Sequence, residues 1–195
     1  MALVLFVVYQ NDIRCLLIKK SKQFQKININ STTQIYASRD TPDDTLHLLL
    51  KFVKQAQINN AQFWQGKQNK AVVIYCHQPK LFSKYGGGNV QVQALTRLGT
   101  YVVIPPHGLH LGAISHELCH TELFARLGNN YWVYYQRLPC WFDEGLALQF
   151  NNGGIYSTAA MDTIQRRSIS KLQAIDRPNG FYKGRVQQVL NNYQV

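Results

Sequence analysis

The chain has 195 residues, of which 46% are hydrophobic, and it carries a formal net charge of +11 at pH 7. This length predicts one domain over residues 1–195, and the apolar content is that of a globular protein rather than a disordered one. The positive charge would suit an anionic partner, but the basic residues are spread along the chain and no nucleic-acid-binding motif accompanies them. We therefore expect a solvated basic surface and no specific nucleic-acid partner.

Residues 1–40 open with an apolar run, Ala2 to Tyr9, that leaves two alternatives open. One is a pair of strands over residues 2–18 that turn near residues 11–12. The other is the remnant of a membrane anchor, with the flanking lysines as a positive stop. Eight helical residues would span only about 12 Å of a hydrocarbon core about 30 Å thick, and the features of a secretory signal are missing. Membrane attachment through the N-terminus stays an open alternative.

Residues 41–110 predict an α/β lobe that continues a small N-terminal mixed sheet. Thr41 is the predicted N-cap of a long helix with Pro42 at its first position, and Phe63 and Trp64 are predicted core anchors at its end. The buried face of this helix is predicted from its apolar residues: Leu46, Leu49, Leu50, Phe52, Val53 and Ala56. The predicted strands cover residues 27–30, 35–37, 71–76, 90–95 and 100–104.

A His-Glu-x-x-His motif lies at residues 116–120, inside an apolar stretch that predicts a helix ending at Gly128. Helical geometry places His116 and His120 on one face, one turn apart, where two imidazoles can hold one Zn²⁺. Glu117 lies on the same flank and can reach a water on that ion. Shuffling 6 His and 3 Glu among 195 residues gives roughly 0.003 such motifs. The alternative is a buried helix whose histidines only form hydrogen bonds in the core.

The third ligand defines the class of zinc site. A metzincin would need Gly and His where Leu123 and Arg126 stand, so that class is excluded. A carboxylate is the other usual third ligand of a catalytic zinc, and Glu144 follows His120 by 24 residues. Pro139 and a stripe of apolar residues predict a second helix that would direct Glu144 at the ion: Trp141, Phe142, Leu146 and Phe150.

The two motifs, His-Glu-Leu-Cys-His and Pro-Cys-Trp-Phe-Asp-Glu-Gly-Leu-Ala, resemble those of the gluzincin metallopeptidases. The likeness covers about residues 70–190 and is greatest to the short bacterial peptidase MA-like domains. It implies a zincin-like α+β fold with the active-site helix and a helical C-terminal lobe in residues 111–195. The interval between the motifs is longer than in aminopeptidase N, and that enzyme's Gly-x-Met-x-Asn signature is missing, so we predict no aminopeptidase activity.

The resemblance implies one Zn²⁺ per chain, held by His116, His120 and Glu144, with Glu117 as the general base that activates a zinc-bound water. It also implies a peptide or protein substrate, which would pair with a strand beside the active-site helix; residues 100–104 are the candidate. Tyr182, one position out of register with the Tyr-x-Lys-Gly pattern of aminopeptidase N, is the candidate donor to the oxyanion.

Several expectations concern the surroundings of this site. Asp143 or backbone carbonyl groups would orient the imidazoles, and Glu122 is predicted at the surface because it is turned roughly 140° from Glu117 on a helical wheel. Cys119 and Cys140 are either free thiols or a disulfide. Further helices are predicted over residues 158–167 and 181–193.

The function predicted from sequence is hydrolysis of peptide bonds by a zinc metallopeptidase. Three alternatives stay open: a zinc-binding pseudopeptidase that cleaves nothing, a basic binding module, and a zinc hydrolase whose substrate is not a peptide. The localisation is equally open between a soluble domain and one tethered to a bacterial membrane or cell envelope.

Overall fold

A computed structural model describes residues 2–28, 33–67, 69–86, 93–138, 140–148 and 150 of the chain. Within these ranges the protein has a five-stranded mixed sheet and six α-helices, which confirms the predicted α+β class. In chain order the elements are α1 (Ala2–Leu16), β1 (Phe24–Asn28), β2 (Gln34–Ser38), α2 (Asp43–Phe63), β3 (Val72–Tyr75), α3 (Pro79–Tyr85), β4 (Leu95–Arg97), β5 (Tyr101–Ile104), α4 (Leu111–Arg126), α5 (Tyr131–Arg137) and α6 (Cys140–Leu148).

The strands of the sheet lie in the order β1-β2-β3-β5-β4. The central strands β2, β3 and β5 are parallel, while β1 and β4 run antiparallel to their neighbours at the two edges. The prediction that residues 100–104 offer an edge to substrate is therefore wrong, because β5 is already paired on both sides. The edge next to β5 is β4, in which Thr96 pairs with Val102.

Helices cover both faces of the sheet, as the packing of strand β3 illustrates. Val73 and Tyr75 pack on one face with α2 and α4, whereas Val72 and Ile74 pack on the other face with residues of α1 and α3. A strand buried on both sides reads as a continuous apolar run, which is the pattern of residues 71–76. A third apolar cluster joins α4 to α5 and α6 and includes Trp64, Leu123 and Phe142.

The N-terminal segment differs from the predicted pair of strands. Ala2–Leu16 forms helix α1. An apolar run of eight residues fits a helix as well as a strand, so the sequence alone could not choose between them. Cys15 is fully buried on this helix. Asp12 forms an ion pair of 2.9 Å with Arg97 of β4, whose guanidinium also donates to the Gly86 carbonyl at 2.7 Å. Of the helices in the described part of the chain, none combines the length and apolar content that crossing a membrane requires.

Helix α2 begins one residue later than predicted. Pro42 occupies the N-cap position, and the Thr41 hydroxyl donates to the Ser38 carbonyl at 2.6 Å instead of capping the helix. The predicted apolar face is confirmed, since Leu49, Val53 and Ala56 are fully buried. Trp64, at the end of the helix, is also buried as predicted.

Some predicted elements lie outside the described residues. These are the helices over residues 158–167 and 181–193 and the rest of the C-terminal lobe. Residues 29–30 of the predicted strand at 27–30, residues 90–92 of the predicted strand at 90–95, and Pro139 also lie outside the described residues; Leu95 begins β4. Tyr182, the candidate oxyanion donor, also lies outside the described residues.

Candidate metal centre

Helix α4 carries the His-Glu-x-x-His motif, as predicted, and both of its ends are capped. At its start, His110 accepts a hydrogen bond from the Ala113 amide on Nδ1 at 3.2 Å. At its end, Gly128 adopts a φ of +75° and donates to the Ala125 carbonyl, while Asn129 donates to Phe124. This pair of bonds is a Schellman ending, in which a residue of positive φ favours glycine. The caps fix the length and phase of the helix that presents the two histidines.

Three donor atoms from α4 and α6 converge. Nε2 of His116 lies 3.3 Å from Oε2 of Glu144, and Nε2 of His120 lies 3.8 Å from the other carboxylate oxygen. One ligand atom from each of the three residues lies within 4.8 Å of the others, so the cluster could bind a metal ion. A tetrahedral ion with bonds of about 2.0–2.1 Å separates its ligand atoms by roughly 3.3–3.4 Å, which these distances approach.

The orientation of His120 is set by a carboxylate from α6. Asp143 lies 2.6 Å from Nδ1 of His120, so that Nε2 is left to face Glu144. Asp143 in turn accepts a hydrogen bond of 2.7 Å from the Tyr134 hydroxyl on α5. For His120 the alternative left by the sequence is therefore decided in favour of Asp143 over a backbone carbonyl. A carboxylate on the second ring nitrogen is a common arrangement for histidines that bind metals.

The histidines and carboxylates around His120 and Glu144 shift the pKa values of these two residues towards the charged forms. Burial alone would lower the pKa of His120, but the hydrogen bond to Asp143 and the nearby carboxylates outweigh it and raise that pKa to about 9. The hydrogen bond from His116 lowers the pKa of Glu144, against an opposing effect of burial. A carboxylate that stays ionised beside two imidazoles is suited to bind a cation.

Glu117 lies beside the cluster without belonging to it. Burial raises the pKa of its carboxyl group, although both histidines and a hydrogen bond from Thr96 act in the opposite direction. The Thr96 hydroxyl on β4 lies 2.8 Å from Oε2 of Glu117 and so fixes the direction of the carboxylate. A carboxyl group with a raised pKa can accept and hold a proton, which a general base requires.

These groups share one open cavity of about 570 Å³. The cavity is lined by the possible metal ligands His116, His120 and Glu144 and by Glu117. Leu95 and Thr96 of strand β4 and Tyr134 and Tyr135 of α5 also line it. The sequence did not point to Thr96, Tyr134 or Tyr135 as site residues. The only signal was the aromatic density of the segment Tyr-Trp-Val-Tyr-Tyr, which by itself predicts core or surface packing as readily as a site.

The prediction that Glu122 lies at the surface is wrong, since only 1% of its area is exposed. Its carboxylate accepts from Nε of Arg126 at 2.9 Å and from the Asn69 amide at 3.0 Å. Helix α4 is covered by α2 on one side and by α6 on another, so a position turned away from the histidines is still inside the protein.

Three cysteines are free thiols: Cys15, Cys76 and Cys119. Cys119 lies on α4 next to His120, is buried, and forms no disulfide. Cys15 and Cys76 are also buried and free. The disulfide between Cys119 and Cys140 that the sequence left open is therefore not formed.

Comparison with known proteins found no match among protein-family models, curated proteins or solved structures.

Proposed function

We propose that the protein is a zinc metallopeptidase of the gluzincin type, with a peptide or protein as its substrate. One observation carries the proposal: two histidine nitrogens and the Glu144 carboxylate converge beside a buried Glu117 in an open cavity. A cluster that served only to hold a metal would need neither the cavity nor a further buried carboxylate next to the ligands.

The residues fit a zinc ion of the catalytic kind. Three protein ligands, two of them imidazoles and one a carboxylate, leave a tetrahedral ion with one open position. The Asp143 contact to His120 supplies the outer support that such ligands commonly have. When bound, the ion would act as a Lewis acid that polarises the substrate carbonyl and makes a water molecule more acidic.

Glu117 would carry the protons of the reaction. Its carboxylate takes a proton from the attacking water as the water oxygen bonds to the carbonyl carbon. The bond between carbon and nitrogen then breaks, and Glu117 gives the proton to the departing amine. Thr96 keeps the Glu117 carboxylate in place through these steps, because its hydroxyl donates to Oε2.

The substrate would bind along β4. Among the described strands β4 is an edge of the sheet, and two of its three residues line the cavity. An extended peptide can add to such an edge through main-chain hydrogen bonds, which recognise a backbone rather than one side chain. This geometry favours a peptide over another zinc hydrolase substrate, because a non-peptide substrate would not use the strand.

Metal analysis and a cleavage assay together test the proposal. The purified chain should contain about one equivalent of zinc, and a peptide library should be cleaved only without chelator, with activity returning on addition of zinc. Zinc binding without cleavage of any peptide would favour a pseudopeptidase. Salt-sensitive nucleic-acid binding that does not depend on zinc would favour a basic binding module.

A further inference from the structure

Two leucines at the end of helix α1 lie on the outside of the protein. Leu16 is 57% exposed and Leu17 is 49% exposed, while their chain neighbours Cys15 and Ile18 are buried. Cys15 and Ile18 pack with residues of β1 and α3. These inward side chains hold the chain with both leucines facing solvent, and the apolar area of the leucines stays in water unless a partner covers it.

Hydrogen bonds hold the turn that follows α1. The amide of Lys20 donates to the Leu17 carbonyl at 2.9 Å, and the amide of Ser21 donates to the Ile18 carbonyl at 3.0 Å. The Tyr85 hydroxyl of α3 donates to Oγ of Ser21 at 3.3 Å. Since these bonds fix the backbone around Ile18, the leucines stay outside as long as the turn is formed.

Three lysines adjoin the two leucines. Lys19, Lys20 and Lys22 are all exposed, and Nε of Arg39, another exposed cation, donates to the Lys22 carbonyl at 3.0 Å. None of these four side chains forms an ion pair within the described part of the chain. Two cations here would suit the negative end of the α1 dipole, but that role would not require leucines beside them. We name residues 16–22 the Leu-Lys segment.

A lipid surface with anionic headgroups suits both kinds of residue in this segment. Leucine side chains can enter the boundary between headgroups and acyl chains, while lysine ammonium groups stay among the phosphates. A nucleic acid would bind the lysines but offers no apolar phase for the leucines. Residues 151–195 carry six basic and two acidic residues, so that part of the chain has the same sign of charge as the lysines and is a poor cover for them.

We propose that the Leu-Lys segment docks the protein on the surface of an anionic lipid bilayer. The contact is peripheral, with the leucines about 5–10 Å deep at the boundary between headgroups and acyl chains. It therefore differs from the membrane-anchor remnant that the sequence left open. The proposal does not depend on the peptidase function, because the segment shares no residue with the lining of the metal cavity.

Vesicle flotation with the full chain tests the proposal. Vesicles of phosphatidylcholine alone are compared with vesicles of an equimolar mixture of phosphatidylcholine and phosphatidylglycerol, in about 0.1 M salt. We expect the wild type to partition at least about tenfold more strongly onto the anionic vesicles. One variant combines Leu16→Gln with Leu17→Gln, and the other combines Lys19→Gln, Lys20→Gln and Lys22→Gln.

Each variant has a matched control elsewhere on the surface. Leu48→Gln with Ile58→Gln replaces two hydrophobic residues of α2 that are 45% and 41% exposed. Lys51→Gln with Lys54→Gln and Lys70→Gln removes as many charges from other exposed lysines. All of the substituted side chains are exposed, so the melting curves of the variants and controls should stay close to that of the wild type.

The two variants should lose binding for different reasons. The leucine variant should partition at least about tenfold more weakly onto anionic vesicles, because its side chains no longer gain from leaving water. The lysine variant should lose about 100-fold, since each lysine near an anionic surface contributes about fivefold, and this loss should shrink as salt rises. Both controls should stay within about threefold of the wild type, because their charges and apolar side chains lie away from the contact.

Three results would overturn the proposal. Wild-type protein that ignores anionic vesicles excludes docking on lipid, and salt-sensitive binding of a DNA duplex by the same protein would assign the lysines to nucleic acid. A leucine variant that binds like the wild type excludes insertion of the leucines. Equal losses in the lysine variant and its control would assign binding to net charge rather than to the segment. None of these results bears on the peptidase proposal.

Discussion

Helix α4 carries two buried carboxylates five residues apart, Glu117 and Glu122, and their surroundings are opposite. Glu122 is matched by the Arg126 guanidinium and by a backbone amide. Glu117 has a neutral hydroxyl donor, Thr96, and faces an open cavity beside the metal cluster. Burial raises the pKa of Glu117. One carboxylate therefore serves as a structural ion pair, while the other is kept in a state that can exchange a proton.

The difference shows how the role of a buried carboxylate can be inferred from the groups around it. Removing one partner of a buried ion pair leaves the other charge uncompensated, so such a pair matters to folding. The two histidines beside Glu117 offset only part of the effect of burial on its pKa. The free-energy cost of burying such an acid is commonly retained where a reaction needs a shifted pKa. The two glutamates should consequently fail in different ways when they are changed.

The largest effect is expected from Glu117→Gln. Hydrolysis should fall by about 10²–10⁴, the usual contribution of a general base, because the amide cannot take a proton from water. Zinc content and thermal stability should stay close to those of the wild type, since glutamine keeps the shape and can still accept from Thr96. The measurements are peptide turnover, metal analysis and a melting curve; near-normal turnover would remove Glu117 from the reaction.

Glu122→Ala should mainly affect folding. We expect a loss of about 3–5 kcal/mol in the free energy of unfolding, because Arg126, of which 10% is exposed, loses its buried partner. Urea unfolding in chelator measures this without a contribution from bound metal. Glu122→Gln is the matched control and should lose less, since its side-chain oxygen can still accept from the Asn69 amide. Equal stability of Glu122→Ala and the wild type would show that Glu122 has no structural role of the kind that distinguishes it from Glu117.

Glu144→Gln should weaken the metal site without affecting the fold. Zinc affinity should fall by more than the roughly 10- to 100-fold that loss of an outer-shell partner costs, because a direct ligand is replaced by a neutral amide. Competition with a coloured chelator measures the affinity. Asp44→Asn, an exposed carboxylate in the first turn of α2, removes the same charge elsewhere and should retain zinc. Equal zinc affinity in both variants would exclude Glu144 as a ligand.

The smallest effect is expected from Thr96→Val. The substitution keeps the shape but removes the hydroxyl that holds the Glu117 carboxylate, and about tenfold in kcat corresponds to the loss of 1.4 kcal/mol. Thr96→Ser keeps the hydroxyl and should behave like the wild type, and zinc content should be normal in both. If Thr96→Val lost as much activity as Glu117→Gln, Thr96 would do more than position the base.

Local patterns predicted much of this molecule. The spacing of His116 and His120 and the stop at Gly128 identified helix α4, and the continuous apolar run at 71–76 identified a buried strand. Glu144 could be predicted as the third ligand because the first motif supplies only two ligands and the second motif contains a carboxylate. The first two inferences depend on residues that are close in sequence, where periodicity and capping operate. The inference about Glu144 depends instead on the likeness of two motifs, in which Glu144 follows His120 by 24 residues.

The errors concern contacts between distant segments. Strand order is set by which elements pair, so the sequence could not show that β5 lies inside the sheet and β4 at its edge. Glu122 was misplaced because a helical wheel shows which side faces the metal but not that the opposite side is also covered. The contacts of Thr96 with Glu117 and of Tyr134 with Asp143 have the same character, since each joins two separate elements.

The ion pair between Asp12 and Arg97 has a practical consequence for anyone who shortens this protein. Arg97 adjoins Thr96, and it is anchored on one side by the Gly86 carbonyl and on the other by Asp12 of α1. Deleting the first sixteen residues would leave that guanidinium half unanchored and would expose the apolar surface under Cys15. The amino-terminal helix, remote from the motifs in sequence, should therefore be kept in any shortened version used to test metal binding or peptide cleavage.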